Sequence, residues 1–543
     1  MQSFMILSAL KRSVRQNPAI NAFWLLPIVA LFLTITANDA FFMHAAETYP
    51  LTDYLGFAVS LALVLTGVLL LLLSLLCYKF LFKFILIAFI LLASVTGYFT
   101  DTYGTIYDAQ MMQNVLETDQ AEMMGLFNIE FILRISLLGI IPSMIIARQK
   151  VYFPRLSCAL LTRFAVILGS LLLITLPITT FSKTYASFFR EHKTLRLYTN
   201  PVAPIYAVGK LLHTEYRKHT APKNTIMHAA DAVQISSPAE RTPKLIVMVV
   251  GETLRADHVS LNGYTRNTFP QVSQIQGVTN FSNVISCGTS TAYSLPCMFS
   301  YSEIKNYDVA QAPYHENVLD TINRLKINIL WKDNNSDDKG VMHKLPPSHY
   351  VKLTREHCPD GATHECRDIH LLAGLDDYVA NHQQQDILIV LHQMGNHGPE
   401  YYKRYDAEFE RFTPVCKNNE LAKCARQEVI NAFDNAVLMT DDFLAKTIHW
   451  LNQYDQTHQV ALLYVSDHGE SLGEKGVYLH GMPYRIAPIE QKHVASFFWT
   501  SAHTHFRAVP SDTALTHAAI AATLLKLFDI KTQSIEYKSS YVL

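Results

Sequence analysis

Long apolar runs occupy the first third of the chain and alternate with short polar loops. Five of them are close to the roughly 17–25 residues that a helix needs to cross a bilayer: Phe23–Ala37, Leu55–Cys77, Phe82–Tyr98, Phe131–Ala147 and Phe164–Phe181. The first run is the shortest and could pass for a signal-peptide core, but no clean small-x-small cleavage site follows it and further spans do. The pattern therefore predicts a membrane domain of five transmembrane helices over residues 1–181.

The loops between these runs alternate in charge. Basic residues precede the first run, join the second to the third and follow the fourth; they are Lys11, Arg12, Arg15, Lys79, Lys83, Arg148, Lys150 and Arg155. The alternate loops carry acidic residues. Because cytoplasmic loops are enriched in Lys and Arg, we expect the N-terminus in the cytoplasm. An odd number of spans then exports everything after Phe181.

Residues 182–241 mix aromatic with basic side chains. Tyr185 and Phe188 lie close to Arg190, and Tyr206 lies close to Lys210. Such stretches next to a membrane are typical of helices lying in the interface, but ordinary amphipathic helices packed on the next domain have the same pattern. Both interpretations stay open at this point. Gln234–Pro243 is expected to be an extended linker.

The remaining part, residues 242–543, alternates strand-like with helical stretches. Four short, nearly all-apolar runs are typical of strands buried on both faces: Lys244–Val250, Ile327–Trp331, Asp386–Leu391 and Val460–Val465. Helical patterns cover Asp368–Asn381, Leu421–Gln453 and, after a Ser511 cap, Asp512–Phe528. The alternation predicts an α/β domain with a mostly parallel sheet and helices on both faces. In such sheets ligands bind beyond the carboxyl ends of the strands.

Composition agrees with this division. The 543 residues suggest at least two domains, and 50% hydrophobic with 17% charged residues fits membrane segments joined to a soluble part. The net charge of −1 averages two unlike halves, and the basic residues are scattered, so nothing indicates nucleic-acid binding.

Six of the eight cysteines fall in the C-terminal half as three local pairs: Cys287/Cys297, Cys358/Cys366 and Cys416/Cys424. Six cysteines allow fifteen connectivities, of which nearest-neighbour pairing is the favoured one. None of the pairs has the roughly two-to-four-residue spacing of structural zinc ligands. We therefore expect three disulfides in an oxidising compartment, which agrees with the export of this half.

Three of the predicted strands end in polar residues. The first is followed by Glu252, the third by a segment containing His397, and the fourth by Asp467 and His468, with His480 a little further on. Carboxylates and imidazoles that meet at one sheet edge suit zinc. Neighbouring side chains of a strand point to opposite faces, so Asp467 and His468 can share a site only where the strand turns. The following glycine favours such a turn.

A hydroxyl-rich segment, Ser286–Cys297, supplies the candidate nucleophile. It contains Thr289, Ser290, Thr291 and Ser294 between two cysteines, and a helix is expected to begin near Thr291. A helix N-terminus favours negative charge, which suits a hydroxyl that carries a phosphate. The alternative is a disulfide-closed surface loop. A threonine hydroxyl needs a metal or a base to activate it, so the metal cluster and this segment explain each other.

Five ordered motifs make the chain similar to a known family. They are VVGETLRADHVSLNGY (249–264), SCGTSTAYSLPCMFS (286–300), DNNSDDKG (333–340), HQMGNHGP (392–399) and YVSDHGESLGE (464–474). The chain resembles the phosphoethanolamine–lipid A transferases, which include the mobile colistin-resistance enzymes. This resemblance covers essentially the whole chain and implies an alkaline-phosphatase/sulfatase-like C-terminal domain.

The resemblance also implies roles for individual residues. Thr291 matches the nucleophile, and the principal zinc ligands are matched by Glu252, Thr291, Asp467 and His468. Residues that hold a second zinc or bind substrate phosphate are matched by His397 and His480. Residues that contact the substrate are matched by Asn335 and Lys339 and, in the second exported loop, by Asn114, Glu117 and Thr118. For the last three, a helix-capping cluster is the alternative.

The implied reaction moves phosphoethanolamine from phosphatidylethanolamine to a phosphate of lipid A through a phosphothreonine. It implies a zinc-dependent, monomeric enzyme of the bacterial inner membrane with its catalytic domain in the periplasm. The rivals are another envelope glycan as acceptor, a phosphoglycerol transferase of the lipoteichoic-acid type, and an inactive scaffold. A sulfatase would need a C/S-x-P-x-R sequence, and none surrounds Thr291.

Two positions depart from the family's pattern. Asn306 stands where an acid is expected, and Ala518 follows His517 where an Asp is expected. Neither is among the principal ligands, so they bear on the accessory site and on substrate preference rather than on the reaction.

Overall fold

The computed structural model describes residues 19–118, 123, 126–192, 194–220, 225–236, 238–358, 366–535 and 539–543. The basic residues Lys11, Arg12 and Arg15 lie outside the described residues. The described residues form two compact units, one within Met1–Asp108 and Phe127–Gly209 and the other within Ala109–Leu126 and Lys210–Leu543. The segment Ala109–Leu126, which we expected in the membrane domain, therefore groups with the C-terminal residues.

The first part of the chain is helical. Its described helices are α1 (Ala22–Thr36), α2 (Asp39–Thr48), α3 (Leu51–Leu76), α4 (Phe82–Tyr103), α5 (Ala109–Glu117), α6 (Ile129–Arg148), α7 (Leu156–Thr180), α8 (Ser182–Glu191) and α9 (Val202–Thr220). Four of them, α3, α4, α6 and α7, are long and apolar enough to cross a membrane. A fifth span results if α1 and α2, which are bent by 60°, count as one. Each of the five predicted runs lies largely within one of these helices.

Helix α8 packs on α3 through aromatic side chains. Tyr185 and Phe188 are buried, and both rings lie against Phe57 of α3 at centroid distances of 5.0 and 5.8 Å. The Tyr185 hydroxyl lies 3.0 Å from the hydroxyl of Ser60, also on α3. The first aromatic and basic stretch therefore forms an amphipathic helix whose apolar face contacts a membrane-unit helix.

The C-terminal unit is built on a seven-stranded sheet. Its strands are β1 (Lys244–Gly251), β2 (Val278–Asn280), β3 (Asn328–Asp333), β4 (Tyr350–Lys352), β5 (Ile387–His392), β6 (Gln459–Ser466) and β7 (Ser496–Thr500), in the order β2-β7-β6-β1-β5-β3-β4. Strands β6, β1, β5, β3 and β4 are parallel, whereas β7 and β2 are antiparallel to their neighbours. The four strands predicted from apolar runs form the centre of the sheet.

Helices cover both faces, which is why the central strands are apolar throughout. All eight residues of β1 are buried. Ile246, Met248 and Val250 pack with α10 (Thr291–Met298), α11 (Val318–Arg324) and α14 (Ala519–Leu527). Leu245 and Val247 on the opposite face pack with α12 (Leu375–Ala380) and α13 (Arg426–Asn452).

Two predicted helices begin later or are shorter than expected. The stretch Asp368–Asn381 forms a 3-10 turn over Asp368–Leu372 and then α12, because Gly374 adopts a left-handed conformation with φ of 73°. The stretch Leu421–Gln453 likewise forms a short turn, Leu421–Lys423, before α13 begins at Arg426.

The predicted helix Asp512–Phe528 with a Ser511 cap is wrong at its start. Helix α14 begins at Ala519, because Leu515 and Thr516 form a short parallel strand pair with Val284 and Ile285. Ser511 contributes its backbone carbonyl, which accepts from Ser282 N at 3.2 Å. The pairing partners lie far away in sequence, so local periodicity could not reveal them.

Candidate active site

Two parallel strands bring three ionisable side chains together at the carboxyl edge of the sheet. Gly251 at the end of β1 pairs with Ser466 at the end of β6, so Glu252 and Asp467 follow at the same level. One ligand atom from each of Glu252, Asp467 and His468 lies within 4.8 Å of the others, and all three side chains are fully buried.

Thr291 points its hydroxyl at this cluster. It is the first residue of α10, and its Oγ1 donates to Glu252 Oε2 at 3.2 Å and lies 3.4 Å from His468 Nε2. The disulfide Cys287–Cys297 closes the segment around it. The hydroxyl is thus placed at a helix N-terminus, where the backbone favours negative charge.

The donor set fits a metal ion. Glu252 Oε1 and Asp467 Oδ2 are buried and have no hydrogen-bond partner among the described residues. His468 Nδ1 lies 2.9 Å from the Gly469 carbonyl, which can only accept, so Nδ1 carries the proton and Nε2 keeps its lone pair. These two unpartnered carboxylate oxygens, together with the lone pair of the buried His468 Nε2, could hold zinc.

Burial shapes the charge of this cluster. Burial and the neighbouring Glu252 carboxylate raise the pKa of Asp467 well above its ordinary value. Burial, followed by the nearby His480, lowers the pKa of His468 well below its ordinary value. Without a cation two buried carboxylates repel each other, and a positive ion would remove that repulsion.

The backbone next to the cluster is constrained at Thr253 and at Gly469. Thr253 has φ of 56°, an uncommon left-handed conformation for a β-branched residue, and its N–H donates to Asp467 Oδ1 at 3.3 Å. We expected Gly469 to favour a turn, but the structure shows that a glycine is required there because of a close backbone contact. A Cβ there would lie 2.0 Å from the Glu490 carbonyl oxygen, so the two backbone segments approach too closely for a side chain.

Asn335 contacts the cluster directly. Its Nδ2 donates to Glu252 Oε2 at 2.7 Å and to the Gln393 carbonyl at 2.8 Å, and its own N–H donates to Asp333 Oδ1 at 2.9 Å. Lys339 lies in the pocket beside Thr291. Asn335 thus holds Glu252 in place, whereas the buried Lys339 side chain lines the pocket with its Nζ 3.4 Å from Asp337 Oδ1.

His397 and His480 line the same pocket. The ring of His480 lies 4.4 Å from that of His468 and 5.4 Å from that of His397. Glu470 Oε2 lies 3.0 Å from His480 Nδ1, and Tyr401 donates to Glu470 Oε1 at 3.0 Å. Burial lowers the pKa of His480, but the Glu470 carboxylate outweighs it and the net shift is upward. The sequence reasoning missed Glu470, although it follows directly after Asp467-His468-Gly469.

Helix α5 closes one side of the pocket. Asn114 and Thr118 line it together with Thr291, and Gln110 Nε2 donates to Ser290 Oγ at 3.1 Å. Thr118 also donates to the Asn114 carbonyl at 2.7 Å, a helix-end contact that agrees with the capping alternative. The side chain of Glu117 lies outside what the structure describes.

Gly481 makes the approach of α5 feasible. Its φ is 86°, and a Cβ there would lie 2.5 Å from Met111 Cε. The Gly481 N–H donates to the Thr289 carbonyl at 2.7 Å, and Thr289 Oγ1 donates to the Met482 carbonyl at 2.6 Å. The segment after His480 is therefore fixed to the segment that carries Thr291.

His517 connects the segment that carries Thr291 to the end of strand β6 by hydrogen bonds. Its Nε2 donates to the Ser466 carbonyl at 3.0 Å, and its Nδ1 accepts from Cys287 N at 3.3 Å. Burial lowers the pKa of His517 to about 3, so the ring is neutral. Ala518, the departure noted in the sequence, directly precedes α14 and leaves these contacts intact. The other two disulfides are Cys358–Cys366 and Cys416–Cys424.

Comparison with known proteins agrees with this fold. Residues 244–530 match the sulfatase family model, and residues 65–216 match the model described as phosphoethanolamine transferase EptA/EptB. Phosphatidylethanolamine transferase Mcr-1 of Escherichia coli is 54% identical over 535 residues, which cover 98% of this chain and 99% of that protein.

Two solved structures extend the likeness. The integral membrane lipooligosaccharide phosphoethanolamine transferase A of Neisseria meningitidis has a TM-score of 0.88 and 32% identity, covering 96% of this chain and 98% of that chain. A crystal structure of its soluble domain has a TM-score of 0.52 and 37% identity, covering 58% of this chain and 96% of that chain.

An α/β domain of the sulfatase class, preceded by membrane-spanning helices, defines the kind of protein this is. The chain belongs to the phosphoethanolamine transferase family that includes EptA and Mcr-1. It is accordingly an integral membrane protein with several spans.

Proposed function

We propose that the chain transfers phosphoethanolamine from phosphatidylethanolamine to a phosphate of lipid A through a covalent intermediate on Thr291. The observation that carries this proposal is the position of the Thr291 hydroxyl, 3.2 Å from Glu252 Oε2 and 3.4 Å from His468 Nε2. The relatives' names, phosphatidylethanolamine and phosphoethanolamine transferases, support the transferred group.

Zinc is the proposed cofactor, held by Glu252, Asp467 and His468 together with Thr291 Oγ1. When bound, the ion supplies a Lewis acid that lowers the pKa of the hydroxyl and withdraws charge from the phosphoryl oxygens. His397 and His480 are proposed either to bind those oxygens by hydrogen bonds or to hold a second ion. Asn335 keeps Glu252 in position through its 2.7 Å hydrogen bond.

In the first half-reaction, Thr291 Oγ forms a bond to the donor phosphorus. The bond from phosphorus to the glycerol oxygen breaks, and that oxygen takes up a proton as diacylglycerol leaves. The Thr291 proton moves toward Glu252 Oε2, which already accepts it in a hydrogen bond. Lys339, Asn114 and Thr118 line the space in which the phosphoethanolamine group would lie; Glu117 is proposed with them from the family resemblance.

In the second half-reaction, an oxygen of the lipid A phosphate bonds to the same phosphorus. The bond from Thr291 Oγ to phosphorus breaks, and Thr291 takes up the proton that the acceptor phosphate hydroxyl releases. Donor and acceptor therefore use one phosphoryl site in turn, and the same donors stabilise its oxygens in both halves.

The membrane unit has a physical role in this proposal. Both substrates are lipids confined to one membrane surface, so tethering raises their effective concentration at the site. We place the N-terminus in the cytoplasm, the catalytic domain in the periplasm of a bacterial inner membrane, and the active species as a monomer. The added ammonium cancels negative surface charge, which weakens binding of cationic polymyxins such as colistin.

Mass spectrometry of full-length protein incubated with phosphatidylethanolamine tests the intermediate. We expect a phosphoethanolamine adduct on the peptide containing Thr291, no adduct in Thr291→Val, and an adduct on serine in Thr291→Ser. The valine keeps the shape of threonine without its hydroxyl, so misfolding does not explain the loss. A phosphoglycerol adduct would instead select the lipoteichoic-acid type of reaction, and full activity of Thr291→Val would refute the mechanism.

Two further measurements address the acceptor and the metal. Lipid A from cells with and without the gene should differ by the mass of phosphoethanolamine; unchanged lipid A with a modified core glycan would identify another acceptor. Asp467→Ala should lose the bound zinc, and stoichiometric zinc in that variant would contradict the ligand assignment.

A further inference from the structure

A second cavity lies next to the pocket over Thr291. It has a volume of about 450 Å³, within the usual size of a small-molecule site. Ala292 and Lys339 line both cavities, and Gln113 of α5 lines the larger one. The two cavities are therefore adjacent, with Ala292 and Lys339 at their common border.

The larger cavity contains a pair of neutral histidines. His228 Nε2 lies 2.7 Å from His315 Nδ1, and the rings stack at 4.9 Å. Burial lowers the pKa of both, and the positive charge of Lys344 lowers it further. Whichever ring donates within the pair, one of the two outer nitrogens is then a donor and the other an acceptor.

The carboxylate beside this pair is already neutralised. Glu316 accepts from the N–H groups of His228 and Ala229, each at 2.9 Å, and from Arg324 at 2.8 Å. It therefore fixes the position of His228 and contributes little net negative charge to the cavity. A ligand that carries a phosphate is not repelled on this side.

Tyr307 adds an unsatisfied hydroxyl. Its side chain lines the cavity and is buried, and its hydroxyl has no hydrogen-bond partner among the described residues. A buried hydroxyl without a partner is unfavourable, and a ligand hydroxyl or ring oxygen would satisfy it. The carbonyl of Tyr307 accepts from Tyr293 of α10 at 3.2 Å, so this residue is also connected to the helix that begins with Thr291.

We propose that this cavity binds the sugar ring that carries the acceptor phosphate, with that phosphate lying past Lys339 at Thr291. The inference rests on the proposed function and adds to it where the acceptor lies. Donor and acceptor groups together with tyrosines match the alternating hydroxyls of a sugar. Ser300, Ser302 and Asn306 add further polar groups to a lining that also has apolar parts, a combination that suits the hydroxyls and the C–H faces of a sugar ring.

Measuring the two half-reactions separately distinguishes binding of the acceptor from binding of the donor. Full-length protein in detergent is loaded with phosphatidylethanolamine in a single turnover, and loss of the Thr291 adduct is then followed at increasing lipid A concentration. For Tyr307→Phe we expect an unchanged loading rate and a half-saturating lipid A concentration raised about three- to tenfold, the effect of one neutral hydrogen bond. Ala312→Phe, which narrows the cavity, should raise it by more.

Tyr541→Phe is the matched control, because it removes another buried tyrosine hydroxyl of the same unit outside the cavity. It should leave both half-reactions unchanged. Slower loading in Tyr307→Phe with unchanged lipid A dependence would assign the cavity to the donor, and unchanged behaviour of both cavity variants would overturn the proposal. If wild-type protein loads Thr291 but never transfers to lipid A, the proposed acceptor fails first and this inference fails with it.

Discussion

Four serine and threonine residues lie between Cys287 and Cys297, and contacts distinguish the three that are consecutive. Thr289 donates to a backbone carbonyl and Ser290 accepts from Gln110, whereas Thr291 faces Glu252 and His468. The sequence pattern alone could not choose among the four, because all share one loop. The family resemblance selected Thr291, whose hydroxyl lies beside Glu252 and His468 in the structure.

Other residues of the site carried no usable signal in the sequence. Glu470 and His517 are fully buried and orient His480 and the Thr291 segment through hydrogen bonds. Glu470 lies within a quoted motif and His517 lies just before an apolar helix, and in both places the sequence does not distinguish a site residue from a structural one. Their roles depend on contacts with distant segments, which spacing along the chain does not reveal.

His517 should make stability depend on pH. Burial lowers its folded-state pKa to about 3, below the ordinary value of 6.5, so its contribution is fully present above pH 6.5 and is lost as pH falls toward 3. Between pH 6.5 and 5.5 this amounts to about 1 kcal/mol of unfolding free energy. We expect the melting temperature of His517→Gln to be lower at pH 7.5 and to change less on acidification than that of wild type.

The measurement is thermal unfolding of full-length protein in detergent at pH 7.5 and 5.5. His505→Gln is the control, because His505 is exposed and has no ion-pair partner among the described residues, so its replacement should preserve the wild-type pH dependence. Parallel pH profiles for wild type and His517→Gln would contradict the assignment.

At the level of elements, burial on both faces made the central strands predictable. Strands β1 and β6 begin and end within one residue of their apolar runs, because nothing polar interrupts either face. The sequence pattern did not predict strand β7, although it is largely buried. It also predicted that α14 begins too early, because Leu515 and Thr516, which precede this helix, pair with Val284 and Ile285. Sheet edges depend on pairing with distant segments, and the local pattern does not contain that information.

Removing the Cys287–Cys297 disulfide should reduce catalysis more than removing the Cys416–Cys424 disulfide. Cys287–Cys297 spans 10 residues and Cys416–Cys424 spans 8, so removing either should reduce stability by a similar amount, typically about 2–4 kcal/mol. Only the first encloses the hydroxyl whose position matters to a fraction of an ångström. We expect the double serine variant at 287 and 297 to lower kcat at least about tenfold more than that at 416 and 424.

Thermal unfolding and steady-state transfer at a temperature where both variants are folded separate the two effects. Equal loss of kcat in the two variants would show that the loop is held sufficiently by Thr289 and His517. Equal stability of wild type and both variants would contradict the expected contribution of the crosslinks.

At the level of the whole molecule, hydropathy predicted the spans but not the grouping of α5. The segment lies between two apolar helices and resembles an ordinary exported loop in the sequence. In the structure it packs in the C-terminal unit, where Gln110 contacts Ser290 and Met111 lies against Gly481. Only the resemblance suggested a role for Asn114 and Thr118, which line the pocket beside Thr291 in the structure.

A fragment of residues 225–543 lacks both the membrane helices and α5. We therefore expect its active site to be incomplete, in addition to the loss of membrane attachment. We expect it to bind zinc like the full chain, since Glu252, Asp467 and His468 are all present. Loading of Thr291 from a water-soluble short-chain phosphatidylethanolamine should be at least about tenfold slower, because α5 no longer lines the pocket. The short-chain donor removes the advantage of a shared membrane.

Fusing residues 109–126 to this fragment through a flexible linker is the matched control and should restore part of the rate. Loading by the unfused fragment at the full-length rate would contradict a role for α5. Loss of zinc from the fragment would indicate misfolding, and Gln110→Ala in the full chain would then test the same contact.

The close contact at Gly481 also limits how members of this family can exchange parts. Because the end of the Met111 side chain lies where a Cβ at position 481 would be, a larger residue at 481 would displace that side chain. A chimaera with a single crossover after the last membrane helix combines α5 of one parent with the pocket of the other. A double crossover that transfers residues 109–126 with the C-terminal unit keeps the parental contacts, so gene shuffling should recover active recombinants more often when both segments come from the same parent.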